Sequence, residues 1–205
     1  DEQWNNILIG EENTPILDAT IYYECITGIC GDNLSWILDT YTGTLTISGT
    51  GDMYDYNRPW EEYADDIKNV AINNGVTSIG SEAFFNCTSL TSITIPDSVT
   101  IIGHLAFALC SSITSITIPE NVKVFGDGVF AYCSSLEKVV YLSSGFSEMI
   151  FLGCSNIKSF HFGKNALMDF ASDIGLAIGY TIVYSCLNEY EETIVNGNLA
   201  NITVV

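Results

Sequence analysis

A 23-residue unit recurs through the middle of this chain and limits what it can fold into. VTSIGSEAFFNCTSLTSITIPDS (76–98) is followed by VTIIGHLAFALCSSITSITIPEN (99–121). VKVFGDGVFAYCSSLEKVVYL (122–142) comes next, then a shorter fourth copy, SSGFSEMIFLGCSNIKSFHFG (143–163). One cysteine marks each copy, at 87, 110, 133 and 154. Self-similarity at a period between about 20 and 50 residues is the signature of a solenoid or an array. Such a stack presents an extended surface rather than one deep pocket.

Within a copy, Leu90-x-x-Ile93-x-Ile95 ends in apolar/polar alternation, the mark of a half-buried strand. Its equivalents are Ile113/Ile116/Ile118, Leu136/Val139/Tyr141 and Ile157/Phe160/Phe162, with an earlier partial coil at Ile67/Val70/Ile72. About five parallel strands are therefore expected. Pro96 and Pro119 follow two of them, where a missing N–H ends the ladder. An apolar position (Val76, Val99, Val122) leads to a recurrent glycine (Gly80, Gly103, Gly126), which calls for either positive φ or close backbone approach. Ala83-Phe84, Ala106-Phe107 and Val129-Phe130 are expected to form short helical or 3-10 pieces across the back. Before the repeats, Leu34–Leu38, a TYTG turn and Thr44–Ser48 read as a β-hairpin, able to cover the otherwise open edge of the first coil. After them, TIVYS, ETIV and NITVV are short strand-like runs.

Charge narrows the function. With 6 basic and 25 acidic residues the chain carries −19, which repels phosphate backbones and anionic lipid, so nucleic acid is not an expected partner. No apolar run of about 20 residues exists to span a membrane. The opening DEQWNNILIG lacks the basic start and apolar run of a signal peptide; either a signal has been removed or the chain is a fragment. Seven cysteines cannot all pair within the chain. Residues at one slot of adjacent coils lie about 4.8 Å apart with parallel Cβ vectors, poor geometry for disulfides, so the column reads as buried thiols. No imidazole lies near it to complete a zinc site. Cys25 and Cys30 flank a short glycine-containing segment, where a bridge is left open and would favour an oxidising compartment. Cys186 has no evident partner.

The pattern IGSEAFFNCTSLTSITIPDSVTIIG closely resembles the BspA-type leucine-rich repeat of bacterial and some protist surface proteins, position by position over residues 67–163. Residues 30–60 look like the β-hairpin cap that precedes such repeats, and ALMDFASDIGLAIGY (166–180) is similar to the helical piece that closes them. The resemblance implies a short right-handed solenoid, an α/β repeat with a parallel sheet on its concave face and short helical or 3-10 segments on its convex face. It also implies display outside the cell and adhesion to host matrix or microbial surface proteins. The fourth copy departs from the pattern, having lost the glycine and Ala-Phe signature, and the third and fourth lack the proline. The expected division is 1–62 as a β-rich N-terminal cap, 63–165 as the repeats and 166–205 as a C-terminal cap and β tail.

Outward strand positions form columns across the coils. One reads Lys68, Thr91, Thr114, Glu137, Lys158; a second Asn69, Ser92, Ser115, Lys138, Ser159; a third Ala71, Thr94, Thr117, Val140, His161. Three of the six basic residues lie there. As a binding strip these columns would meet an acidic or polar partner; as plain structure, Glu137 and Lys158 would form a cross-strand pair of modest worth. His104 and His161 are the only histidines, neither with a nucleophile marked beside it. No phosphate-binding loop, dinucleotide fingerprint or HExxH motif occurs, so no enzyme activity and no cofactor is expected. Asp52, Asp55, Glu61, Glu62, Asp65 and Asp66 lack calcium-loop spacing and read as a solvated acidic face. Asn33, Asn86 and Asn201 fit the glycosylation acceptor pattern, which matters only in a eukaryotic host. The expectation is a monomeric extracellular module that binds a protein on its concave face. The alternatives are a spacer that binds nothing, or a glycan-binding module using Tyr54, Tyr56 and Trp60.

Overall fold

A computed structural model describes residues 25–145, 147 and 149–162, together with the backbone of 201–204. The chain opens with an antiparallel meander of β1 (Cys25–Gly31), β2 (Leu34–Asp39) and β3 (Thr44–Gly49). Alternation along β2 buries Leu34, Trp36 and Leu38 and exposes Ser35 and Ile37. The β2–β3 turn is built by Asp39, whose Oδ1 accepts the N–H groups of Tyr41 and Thr42 at 2.9 and 3.2 Å. The Thr42 N–H holds that carboxyl below its ordinary pKa. Gly43, at φ +67°, closes the turn. The expected hairpin is thus present, and β1 adds a third strand to it.

The first three coils that follow contribute a front strand and a second strand beyond the next corner, and the later ones a front strand. The cap's corner strand is β4 (Gly51–Asp52), followed by β5 (Asn69–Ile72) with β6 (Val76–Ile79) and β7 (Ser92–Thr94) with β8 (Ile101–Ile102). Then come β9 (Ser115–Ile118) with β10 (Val124–Phe125), β11 (Lys138–Tyr141), β12 (Ser159–Phe162) and β13 (Asn201–Val204). All five expected front strands form. The run NITV supplies β13, which pairs in parallel register with β12; TIVYS, ETIV and the 166–180 segment lie outside the described residues. The corner strands form a second parallel sheet, ordered β10-β8-β6-β4.

The front sheet is not one continuous ladder. One part runs β1-β2-β3-β5-β7 and the other β13-β12-β11-β9, with no pairing between β7 and β9. The N–H groups of Thr91 and Ser92 bond the Lys68 carbonyl, those of Glu137 and Lys138 bond Thr114, and those of Lys158 and Ser159 bond Glu137. Thr114 and Ser115 make no such bond to Thr91. The strand ends show a correlate. Asn73 and Leu142 donate their N–H to Ile47 and Ile118 of the preceding coil, but Pro119 has no N–H to offer Ile95. Pro96 likewise lacks an N–H for Ile72, and β5 still pairs with β7. The β7/β9 step is the one where both flanking strands run into proline.

The back of the coil departs from the expected helical pieces. Residues 81–86, 104–109 and 127–132 are turns, and a 3-10 helix forms at Glu61–Tyr63 in the first coil. An α-helix needs N–H groups that point along the chain. Here alternate N–H groups leave it: Glu82, Phe84 and Asn86 donate to His104, Ala106 and Ala108 of the next coil. The intervening ones bond locally, Ala83 to Gly80 and Phe85 to Glu82. Two left-handed positions per coil make this possible, one occupied by Glu82, Leu105, Gly128 and Met149, the other by Asn86, Leu109, Tyr132 and Gly153.

The interior is a column of rings. Trp60, Phe84, Phe107, Phe130 and Phe151 stack at centroid separations of 5.4, 5.1, 5.2 and 5.6 Å, near parallel throughout. Offset stacks of this kind add about 0.5–1.5 kcal/mol per pair beyond the area they bury. The recurrent glycines answer the question of positive φ or close approach in favour of approach. A Cβ on Gly103 would lie 2.4 Å from the Ser81 backbone nitrogen, and one on Gly126 would lie 2.2 Å from that of His104.

Candidate functional site

The three outward columns assemble as read from the sequence. Asn69 pairs with Ser92, and Ser115, Lys138, Ser159 and Asn201 stand in one register. Ala71 lies beside Thr94, and Thr117, Val140 and His161 continue that column on the far side of the break. Lys68, Thr91, Thr114, Glu137 and Lys158 precede their strands by one residue and are all exposed. The cap prolongs the third column through Thr46, Ile37 and Thr27, residues that repeat-based reading missed. The signal was present in LSWILD, whose alternation turns Ser35 and Ile37 outward; Ile37 is 47% exposed.

Basic residues gather on this face although the chain as a whole is acidic. Lys68, Lys138 and Lys158 stand out on it against Glu137. Lys158 Nζ lies 2.5 Å from Glu137 Oε1, both side chains exposed, so the cross-strand pair forms and neutralises that corner. Lys138 has serine on both sides, Ser115 and Ser159, and no ion partner among the described residues. Lys68 is likewise exposed and outside the Glu137–Lys158 pair, so both cations stand open to a partner.

The break between β7 and β9 opens a groove of about 340 Å³ in the middle of this face. Thr91, Ser92, Thr94, Ser115 and Thr117 bring hydroxyls to it, and Asp97 a carboxylate. Ile93, Ile95, Pro119 and Leu142 supply its apolar part.

The cysteine column is committed to the interior. The thiols of Cys110, Cys133 and Cys154 donate to the carbonyls of Phe84, Phe107 and Phe130, one coil back, at 3.1, 3.2 and 3.0 Å. Burial pushes the Cys87 thiol up to about 12 and that of Cys110 higher still. Cys133 is held protonated by its hydrogen bond with Cys154 and by burial. Cys25 and Cys30 both lie on β1, one exposed and one buried, and neither is bridged. Five residues along a strand separate them by about 16 Å, so the sequence-level option of a bridge between them does not hold. His161 sits on the front face, and His104 lies in a back turn with its N–H on Ser81 Oγ at 3.3 Å. The column thiols meet carbonyls rather than an imidazole.

Trp60 is withdrawn from the glycan option. It is 1% exposed, stacks on Phe84 and donates its Nε1–H to the Ala83 carbonyl at 2.9 Å. Tyr54 binds Asp32 Oδ1 at 2.7 Å, leaving Tyr56 as the open ring of the three. The acidic residues of the cap disperse to separate tasks. Asp52 accepts from Thr77, Asp55 from the Ser81 N–H, Asp65 from Thr88, and Glu61 pairs with Arg58. Among the described residues no three of them converge as a metal cage would require.

Stacked coils, a capped first edge and an outward sheet define a solenoid scaffold of the leucine-rich-repeat class. Residues 62–171 match the BspA-type leucine-rich repeat region in six copies, and the chain belongs to that family. A leucine-rich repeat protein from Eubacterium ventriosum is similar in structure at 28% identity and TM-score 0.56, the likeness covering 72% of this chain and 48% of that one. The chain thus spans about half the length of that relative. A Treponema pallidum leucine-rich repeat protein matches at 24% identity and TM-score 0.47, over 62% of this chain and 67% of its own. A leucine-rich cell surface protein from Faecalibacterium prausnitzii matches at 22% identity and TM-score 0.37, over 72% and 56%. No curated protein matches the sequence. No helix among the described residues is long and apolar enough to cross a membrane.

Proposed function

We propose that this module binds another protein outside the cell through its front face, by surface complementarity and without chemistry of its own. The observation that carries this reading is Lys138, an exposed cation set among serines on a face that also bears Lys68 and Lys158, in a chain of net charge −19. Complementary potential of this kind sets partner choice and association rate more than raw affinity. Contacts are assigned to Lys68, Asn69, Ser92, Thr94, Ser115, Thr117, Glu137, Lys138, Lys158, Ser159 and His161. Membership of the repeat family supports placement at the cell surface and a matrix or microbial surface protein as partner. Residues 1–62 and 166–205 serve as caps on the stack of 63–165.

The test is binding of the monomeric chain to immobilised extracellular matrix proteins and to bacterial surface proteins, alongside Lys138→Glu. Binding that falls at least tenfold on charge reversal, and weakens with salt, supports the reading. A chain that binds none of them is a spacer. Binding that ignores Lys138→Glu places the contact elsewhere.

A further inference from the structure

We propose that the groove between β7 and β9 is a binding site for a neutral saccharide unit, a small-ligand site different in kind from the protein contact proposed above, although it shares Ser92, Thr94, Ser115 and Thr117 with it. Everywhere else on the front sheet each strand is hydrogen-bonded to the next, so this step exposes main-chain groups the fold otherwise satisfies. The N–H groups of Thr114 and Ser115 and the carbonyl of Thr91 lack the bonds their equivalents make. Ile93, whose counterparts Val70, Ile116, Val139 and Phe160 are at most 3% exposed, is only half-buried here. The volume of about 340 Å³ falls at the lower end of the roughly 300–1,000 Å³ of small-ligand sites.

The lining selects among ligands. A peptide strand inserted between β7 and β9 would hold them about 9.6 Å apart, but their Cα atoms approach within 8 Å. A ligand therefore lies over the opening instead of completing the ladder. An anion meets Asp97 and no cation in the lining. A flat aromatic ligand finds no ring to stack on. What remains is a compact neutral molecule whose groups both donate and accept, as the hydroxyls of Ser92, Thr94, Ser115 and Thr117 do. Ile93 and Leu142, both partly exposed, offer a surface for the C–H face of a sugar ring. Thr94 and Thr117, in one column on opposite sides of the break, reach the ligand from both banks.

The experiment is two-dimensional amide NMR on the whole chain, titrated with glucose, N-acetylglucosamine, cellobiose and maltose. Glucuronate and glucosamine serve as charged controls. Shifts confined to 91–95 and 114–118, and larger for a neutral sugar than for either control, are expected. The Thr94→Val/Thr117→Val pair keeps side-chain shape and is expected to weaken the response about tenfold. Ser92→Ala/Ser115→Ala gives the same readout should the first pair fail to fold. The proposal is overturned by no neutral-sugar response, by a response unchanged in the variants, or by preference for a charged control. It is also overturned if Thr114 and Ser115 amides exchange as slowly as those of Glu137 and Lys138, since the ladder would then be closed in solution. Failure here leaves the Lys138→Glu test of the protein contact untouched.

Discussion

Raising the pH should unfold this protein through its thiols before exposed groups contribute. Cys87, Cys110 and Cys133 all have pKa values raised in the folded chain, Cys87 to about 12, by burial and, for Cys133, first by its bond with Cys154. In the unfolded chain they return to about 9. A group whose folded pKa is raised favours the fold fully below the unfolded value and loses that contribution as pH climbs toward the folded one. The window is therefore pH 9 to about 12. At pH 10 each thiol left protonated in the fold costs about 1.4 kcal/mol relative to an unfolded chain free to ionise. The three together remove about 4 kcal/mol, a large part of the 5–15 kcal/mol of a typical domain. Cys30, buried and pushed up to about 11, adds to the loss. Urea unfolding at pH 7.5, 9 and 10, with thiolate absorbance followed near 240 nm, measures both halves of the argument. Cys110→Ala should reduce the pH slope by about a third of the column's share, whatever it does to stability at neutral pH. Stability unchanged between pH 8 and 10, or native thiols ionising near 9, would refute the reasoning.

Other consequences are as direct. Phe107→Ala removes the central ring of the column and should cost about 3–5 kcal/mol, read by denaturant midpoint; a loss under 1 kcal/mol would mean the stack is loosely held. Gly126→Ala forces a Cβ against the His104 backbone at 2.2 Å, and overpacking of this kind costs about 1–3 kcal/mol or more. Gly51→Ala is a useful contrast, since φ of +105° strains it although no atom lies within 4 Å, so crowding and backbone strain can be separated by comparing the two. Glu137→Gln breaks the exposed pair with Lys158 and should change stability by under about 1 kcal/mol, less at high salt. A larger effect would mean that the corner is more than a surface pair.

What could be read from the sequence follows the range of the forces involved. Strand positions announced themselves because alternation is local, and each of the five apolar triplets seeds a front strand. The corner strands escaped because Ile101–Ile102 and Val124–Phe125 are too short to alternate. The back segments misled because Ala83-Phe84, Ala106-Phe107 and Val129-Phe130 read as short helical pieces, whereas Glu82 and Leu105 before them are left-handed. Their left-handed φ is imposed by N–H groups drawn to the neighbouring coil, a demand that local sequence does not display. The break at β7/β9 was hidden more deeply, since TSITIP occurs on both sides of it. It falls where both flanking strands run into proline, Pro96 and Pro119, a relation between residues 23 positions apart. For the front face, the columns were legible from the repeat, while the groove that interrupts them was not.

The bonds from Cys110, Cys133 and Cys154 to the phenylalanine carbonyl one coil back have a consequence for how such a chain can change in length. Every coil offers upward the same ring and carbonyl that it covers below, so each is both mould and cast. A duplicated or deleted unit meets a surface already shaped for it and needs no new interface. The caps stay as they are, and the display face grows or shrinks by one strand, about 4.8 Å, with each event. Reach becomes a quantity that can be altered by counting units, leaving the outward residues of each added strand free to be chosen for whatever they meet.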